Sequence, residues 1–320
     1  MRAIAHAVRG KRVKSTALLA MAAAAAMAVT ACSGAASGAQ SAAGPGTIVA
    51  VGAENEYADV IAQVGGKYVQ ANAIMSNPNT DPHSFEASPA VAREVSAAQL
   101  IVQNGVSYDT FMSTIESAAP NSGRKVIDVQ QLLGLPDSTP NPHLWYDPNT
   151  MPKVADAIAS DLAAIQPSHA AYFKANAKAF IASLTPWYNA IAAFKRAYAG
   201  TPVATTEPVA DYMLQAVGAN NMTPFTFQAD IMNGVDPSPQ NVAAEKSLFT
   251  EHKVKVFLYN QQVTDPLTDS LITLADQNHI PVVGVYETMP VPGFHYQSWM
   301  LAEVQDLTKA VTSGVSTQHL

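Results

Sequence analysis

Seven short runs rich in β-formers recur along this chain, and a helical pattern follows each one. They are Thr47–Val51, Val69–Met75, Leu100–Gln103, Lys125–Val129, Pro202–Thr206, Val254–Tyr259 and Val282–Tyr286. Strands that are apolar throughout, rather than on alternate positions, must be covered on both faces, and helices between them supply the cover. The pattern predicts an α/β protein with two Rossmann-like βα lobes and parallel sheets. Between the lobes, Phe173, Ala177, Phe180, Leu184, Trp187, Ile191, Phe194 and Tyr198 recur at alternating spacings of four and three, one stripe along a helix. A helix of about 30 residues is roughly 45 Å long, enough to run along both lobes and fix their separation. Pro186 lies inside this stripe and should kink it. No internal sequence repeat relates the lobes, so any likeness between them would be one of fold alone.

The N-terminus is an address. Arg2, Arg9, Lys11, Arg12 and Lys14 precede an apolar run, Ala17–Val29, which is too short to span a bilayer but suits the core of a secretory signal. The run ends in Val29-Thr30-Ala31-Cys32, and Cys32 is the one cysteine in the chain. These four residues resemble a bacterial lipobox, which makes Cys32 the expected lipidation site. The small residues from Ser33 to Gly46 have nothing to bury and read as a tether. The expected organisation is a signal peptide over 1–31, a tether over 32–46, an N-terminal lobe over 47–167, one long rigid bridging helix over 168–199 and a C-terminal lobe over 200–320. Lipid on Cys32 would hold a monomeric protein at the outer face of the cell membrane. Five of the 18 bases lie in the signal, leaving 13 against 25 acids in the remainder. Nucleic acid is therefore not an expected partner.

In open α/β sheets, ligands bind beyond the carboxyl ends of the strands. Metal-capable side chains collect there. His83 follows the second run, His143 follows the fourth, Glu207 terminates Pro202–Thr206 and Glu287 terminates Val282–Tyr286. Two imidazoles and two carboxylates suit a first-row divalent ion of intermediate hardness. Each residue also has an ordinary reading, the histidines as turn residues beside proline and the acids as solvated side chains. Trp145, Asp147, Asn104 and Tyr108 are candidates to support the ligands, since a ligating imidazole usually donates its other N–H to an oxygen. His295 lies near the expected cleft and is weighed as a surface residue.

Four segments carry a family resemblance. Asp81-Pro82-His83-Ser84-Phe85-Glu86, Leu100–Gly105, Pro142-His143-Leu144-Trp145 and Asp236-Pro237-Ser238-Pro239 resemble, in this order along the chain, motifs of the cluster A-I (cluster 9) solute-binding lipoproteins of ABC transporters. The likeness runs from about Ile48 to Leu307. It implies two α/β lobes bridged by one helix, a cleft that takes up zinc or manganese, and a membrane permease as partner. Carried over residue by residue, the ligands fall on His83, His143 and Glu207, with Glu287 the nearest acid to the fourth position. A glutamate as third ligand, and the absence of histidine from residues 104–142, tilt the choice slightly toward manganese and leave zinc open. The competing readings are a secreted metal-dependent hydrolase on the same histidines, and a carrier of an organic solute or an adhesin. Against the first, no HExxH or GxSxG segment is present; against an anionic solute, only Arg93, Arg124 and Arg196 follow the signal. A carrier, not an enzyme, is expected.

Overall fold

A computed structural model describes residues 46–79, 82–290 and 292–320. Cys32, the proposed signal and all of the proposed tether but Gly46 lie outside the described residues, as does Asp81. Four strands build the first sheet: β1 (Ile48–Glu54), β2 (Val69–Met75), β3 (Leu100–Gln103) and β4 (Lys125–Asp128). The second has β5 (Pro202–Thr205), β6 (Asn220–Asn221), β7 (Val256–Asn260) and β8 (Val282–Val285). All pairings are parallel, and the orders β2-β1-β3-β4 and β6-β5-β7-β8 have the same pattern. The lobes share a topology without sharing a sequence. The order reverses between β1 and β3 and again between β5 and β7, so each lobe has a ligand-binding switch point at its carboxyl ends.

The buried β3 and β8 are apolar runs, while β2, at an edge, is half-buried along most of its length. The outer edge of β8 is closed by the C-terminal tail, where Gly284 donates to the Thr317 carbonyl at 2.8 Å and Thr317 donates to that of Val282 at 2.9 Å. Covering an edge in this way removes a row of unpaired backbone groups. Gly52 in β1 is required, because a Cβ there would collide with the backbone of Ala58 as the chain turns into the helix Asn55–Gly65.

The bridging element is bent. It forms a helix over Ala170–Ser183 and a second over Thr185–Tyr198, with Leu184 between them. Pro186 has no N–H for the Ala182 carbonyl, and the Thr185 hydroxyl donates to that carbonyl instead at 2.7 Å. Seven of the eight stripe residues are buried, Tyr198 partly so, and the apolar face survives the bend. The first helix packs on Asn55–Gly65 and Thr150–Ile165, the second on Asp211–Val217 and Tyr296–Ser313. One apolar core therefore continues from Ile48 and Tyr57 through Phe180 and Trp187 to Trp299 and Leu307. Lobes joined through a continuous apolar core do not swing freely. Among the described residues, no helix is long and apolar enough to cross a membrane.

Candidate metal centre

Three of the four expected ligands meet. Among the described residues, His83, His143 and Glu287 form the one group of three or more metal-capable side chains whose donor atoms all lie within 4.8 Å of one another. Glu287 Oε2 is 3.1 Å from His83 Nε2 and 3.2 Å from His143 Nε2. His143 and Glu287 are wholly buried, whereas the His83 side chain is 22% exposed and forms the lip of the site.

The orientation of His143 is settled by its neighbour. Asn141 Oδ1 accepts from the His143 backbone N–H at 3.0 Å and lies 2.8 Å from His143 Nδ1, while Asn141 Nδ2 donates to the Pro208 carbonyl at 2.7 Å. A backbone N–H can only donate, so the atom facing it must be the amide oxygen, and Nδ1 must carry the proton. His143 Nε2 is then left to point its lone pair, or a second proton, at Glu287. Two imidazole nitrogens and a carboxylate oxygen aimed at one another repel through their lone pairs unless a proton or a cation lies among them. Burial lowers the pKa of His143, opposed by its hydrogen bond to the Glu287 carboxylate and by that carboxylate's charge. For Glu287, burial pushes upward, but the His83 charge and the hydrogen bonds of both histidines outweigh it and hold the carboxyl well below its usual range.

Glu287 is held from all sides. Its Oε2 accepts from the Tyr108 hydroxyl at 2.8 Å, its Oε1 from Asn260 Nδ2 at 2.7 Å, and its backbone N–H donates to Gln262 Oε1 at 2.6 Å. Tyr108 is delivered by a strained loop. Val106 and Ser107 take φ of 53° and 61°, which costs energy in non-glycine residues and most for β-branched valine. The loop is pinned by Gln130 Oε1, which accepts from the Val106 N–H at 2.6 Å, and by the Asp109 carboxylate, which accepts from Asn104 and Gly105 at 2.6 and 3.0 Å. Burial nevertheless raises the pKa of Asp109 to about 6, with those N–H groups opposing it.

Glu207 is buried at the end of β5 but stands outside the group of three. Its Oε1 accepts from Asn260 Nδ2 at 3.0 Å, so one amide separates the two carboxylates. Of the expected supporting residues, Tyr108 touches Glu287 directly. Asn104 bonds the Pro142 carbonyl at 2.8 Å and so steadies the His143 loop. Trp145 packs edge-on against the His143 ring, with centroids 5.4 Å apart. Asp147 plays no such part, since its carboxylate is engaged by the Asn149 backbone and side chain. His295 pairs with Asp59 at 2.7 Å, is 67% exposed and is not in the group of three. Asn141, Asn260 and Gln262 were not anticipated; Asn260 ends β7, and the strand-end rule extended to amides would have found it.

The fold agrees with that of known proteins. The crystal structure of ZnuA and the structure of a manganese-bound periplasmic metal-binding protein from Candidatus Liberibacter asiaticus superpose with TM-scores of 0.68 and 0.67, at 19% and 18% identity. Each covers 83% of this chain and 100% of its own, a likeness of fold. The manganese ABC transporter substrate-binding lipoprotein PsaA of Streptococcus mitis is 23% identical over 266 residues, covering 77% of this chain and 82% of the relative. The high-affinity zinc uptake system protein ZnuA of Haemophilus ducreyi is 23% identical over 233 residues, covering 63% and 74%. The match to the manganese-binding lipoprotein MntA of Bacillus subtilis is shorter, 132 residues and 43% of that protein. The model of the zinc-uptake complex component A periplasmic family matches residues 51–310, and with most of its length so matched the chain belongs to that family.

Proposed function

We propose that the protein is the extracytoplasmic substrate-binding component of an ABC transporter, which captures one divalent manganese or zinc ion between its lobes and hands it to a membrane permease. The convergence of His83 Nε2, His143 Nε2 and Glu287 Oε2 carries this reading. His83, His143 and Glu287 bind the ion, and Glu207 completes the set from the far side of Asn260. Two nitrogens and two oxygens suit manganese as well as zinc. The ion enters past His83, the exposed ligand, while the buried pair waits behind it. Glu287 is held by hydrogen bonds to Tyr108 and Asn260, an arrangement suited to gripping a cation rather than to activating water. Cys32, acylated, tethers a monomer to the outer face of the membrane.

Isothermal titration of the chelator-stripped protein tests the proposal. One ion of manganese or zinc should bind per chain, and His83→Ala should lose most of the affinity without unfolding the protein. Titrations with both ions that show no saturable binding would overturn it.

A further inference from the structure

One face of the helix Asn55–Gly65 reaches across to the other lobe at every fourth residue. Asn55 holds both main-chain groups of Met289, its Nδ2 donating to the carbonyl and its Oδ1 accepting from the N–H, each at 2.8 Å. Asp59 accepts from the Tyr296 backbone N–H at 2.8 Å and from His295 Nδ1 at 2.7 Å. The side-chain amides of Gln63 and Gln297 bond each other reciprocally at 3.0 Å. Spacings of four place all three on one stripe of the helix. Asp59 thereby acts as an N-cap supplied from the other lobe, a carboxylate on a free N–H at the start of the helix Tyr296–Ser313.

Met289 lies two residues beyond Glu287. The intervening backbone is fixed within the C-terminal lobe by Gln262 Oε1, which accepts from Glu287 and Thr288 at 2.6 and 2.8 Å. Asn55 fixes the same short stretch from the N-terminal lobe, which also carries His83 and His143. We propose that this polar stripe is an interlobe clasp, and that Asn55 and Asp59 are positioning residues that hold Glu287 in register with the two imidazoles. The idea rests on the metal-capture reading above. Hydrogen bonds suit the task because they are directional and costly to break when buried, whereas apolar contact would let the lobes slide.

A clasp that touches no ion should act on release more than on capture. The test loads the full chain with manganese or zinc alone and follows the ion's transfer to excess chelator by stopped flow. Asn55→Ala should release the ion about ten- to hundredfold faster, with association within about twofold of wild type, as expected for losing two buried hydrogen bonds. Asn55→Asp, which keeps the acceptor for the Met289 N–H and loses the donor, should fall between. Gln297→Ala, at the half-buried rim, should release about two- to threefold faster while still folding in chelator, and it decides the matter if Asn55→Ala fails to fold. Release at the wild-type rate from Gln297→Ala and from every folded Asn55 variant overturns the clasp alone. A wild-type chain that takes up neither ion overturns the proposed function instead.

Discussion

Glu303 offers a sharp test of the electrostatics of the core. It lies fully buried on the helix Tyr296–Ser313, where its Oε1 accepts from Trp299 Nε1 at 2.9 Å and lies 3.2 Å from the Tyr146 hydroxyl. Burial raises its pKa from 4.5 to about 8, with those hydrogen bonds opposing. Below pH 4.5 the folded and unfolded chains both hold this proton, and it contributes no slope. Between 4.5 and about 8 the folded chain keeps a proton that the unfolded chain has released, so stability falls as pH rises; above 8 the loss is complete. A shift of this size is worth at most about 5 kcal/mol at roughly 1.4 kcal/mol per unit. Glu303→Gln keeps the acceptor for Trp299 and removes the charge. Urea denaturation in chelator, at pH 5 and pH 9, should show the variant gaining on wild type by about 2–4 kcal/mol at the higher pH. Glu245, also raised to about 8, is present in both proteins and cancels. If the two proteins lost stability in parallel from pH 5 to pH 9, Glu303 would not be a buried neutral acid and the reasoning would be refuted.

Four other variants have expected outcomes. Asn141→Ala should lower metal affinity by about ten- to hundredfold in calorimetric titration, the usual cost of freeing a ligand imidazole; an affinity within twofold of wild type would refute its orienting role. Glu287→Gln should abolish most binding, and Glu207→Gln should weaken it about tenfold or more; unchanged affinity in the second variant would reduce the protein ligands to three. Cys32→Ser should move the protein from the membrane fraction to the soluble fraction of expressing cells, and retention in the membrane fraction would count against the lipid anchor.

The sheets were legible because a buried parallel strand such as β3 is an apolar run, while the half-buried edge strand β2 alternates apolar and polar positions from Val69 to Ala73. Val69–Met75 and Leu100–Gln103 coincide with β2 and β3 residue for residue. The strand that escaped notice, β6, is two asparagines long, and no hydrophobic pattern can mark Asn220–Asn221. The bridging stripe showed its apolar face and its kink, since Pro186 disturbs the backbone without moving a buried side chain. At the site, three side chains meet as the strand-end rule suggests, because parallel strands bring their carboxyl ends to one place. The amides that hold them were not legible. Asn141, Asn260 and Gln262 work through specific hydrogen bonds made only once loops are folded, and nothing in their spacing distinguishes them from turn residues. His295 shows the converse, a histidine near the cleft in sequence whose partner, Asp59, is 236 positions away.

The joint at Leu184 has a mechanical corollary. A straight rod would transmit any twist of one lobe whole to the other, but a rod broken once, with the freed carbonyl reclaimed by Thr185, can flex there while its greased side stays seated. Travel at the mouth is thereby limited to a slight rocking. Under the proposed function, a permease would empty such a cup by drawing on a gripping residue rather than by waiting for the cup to gape.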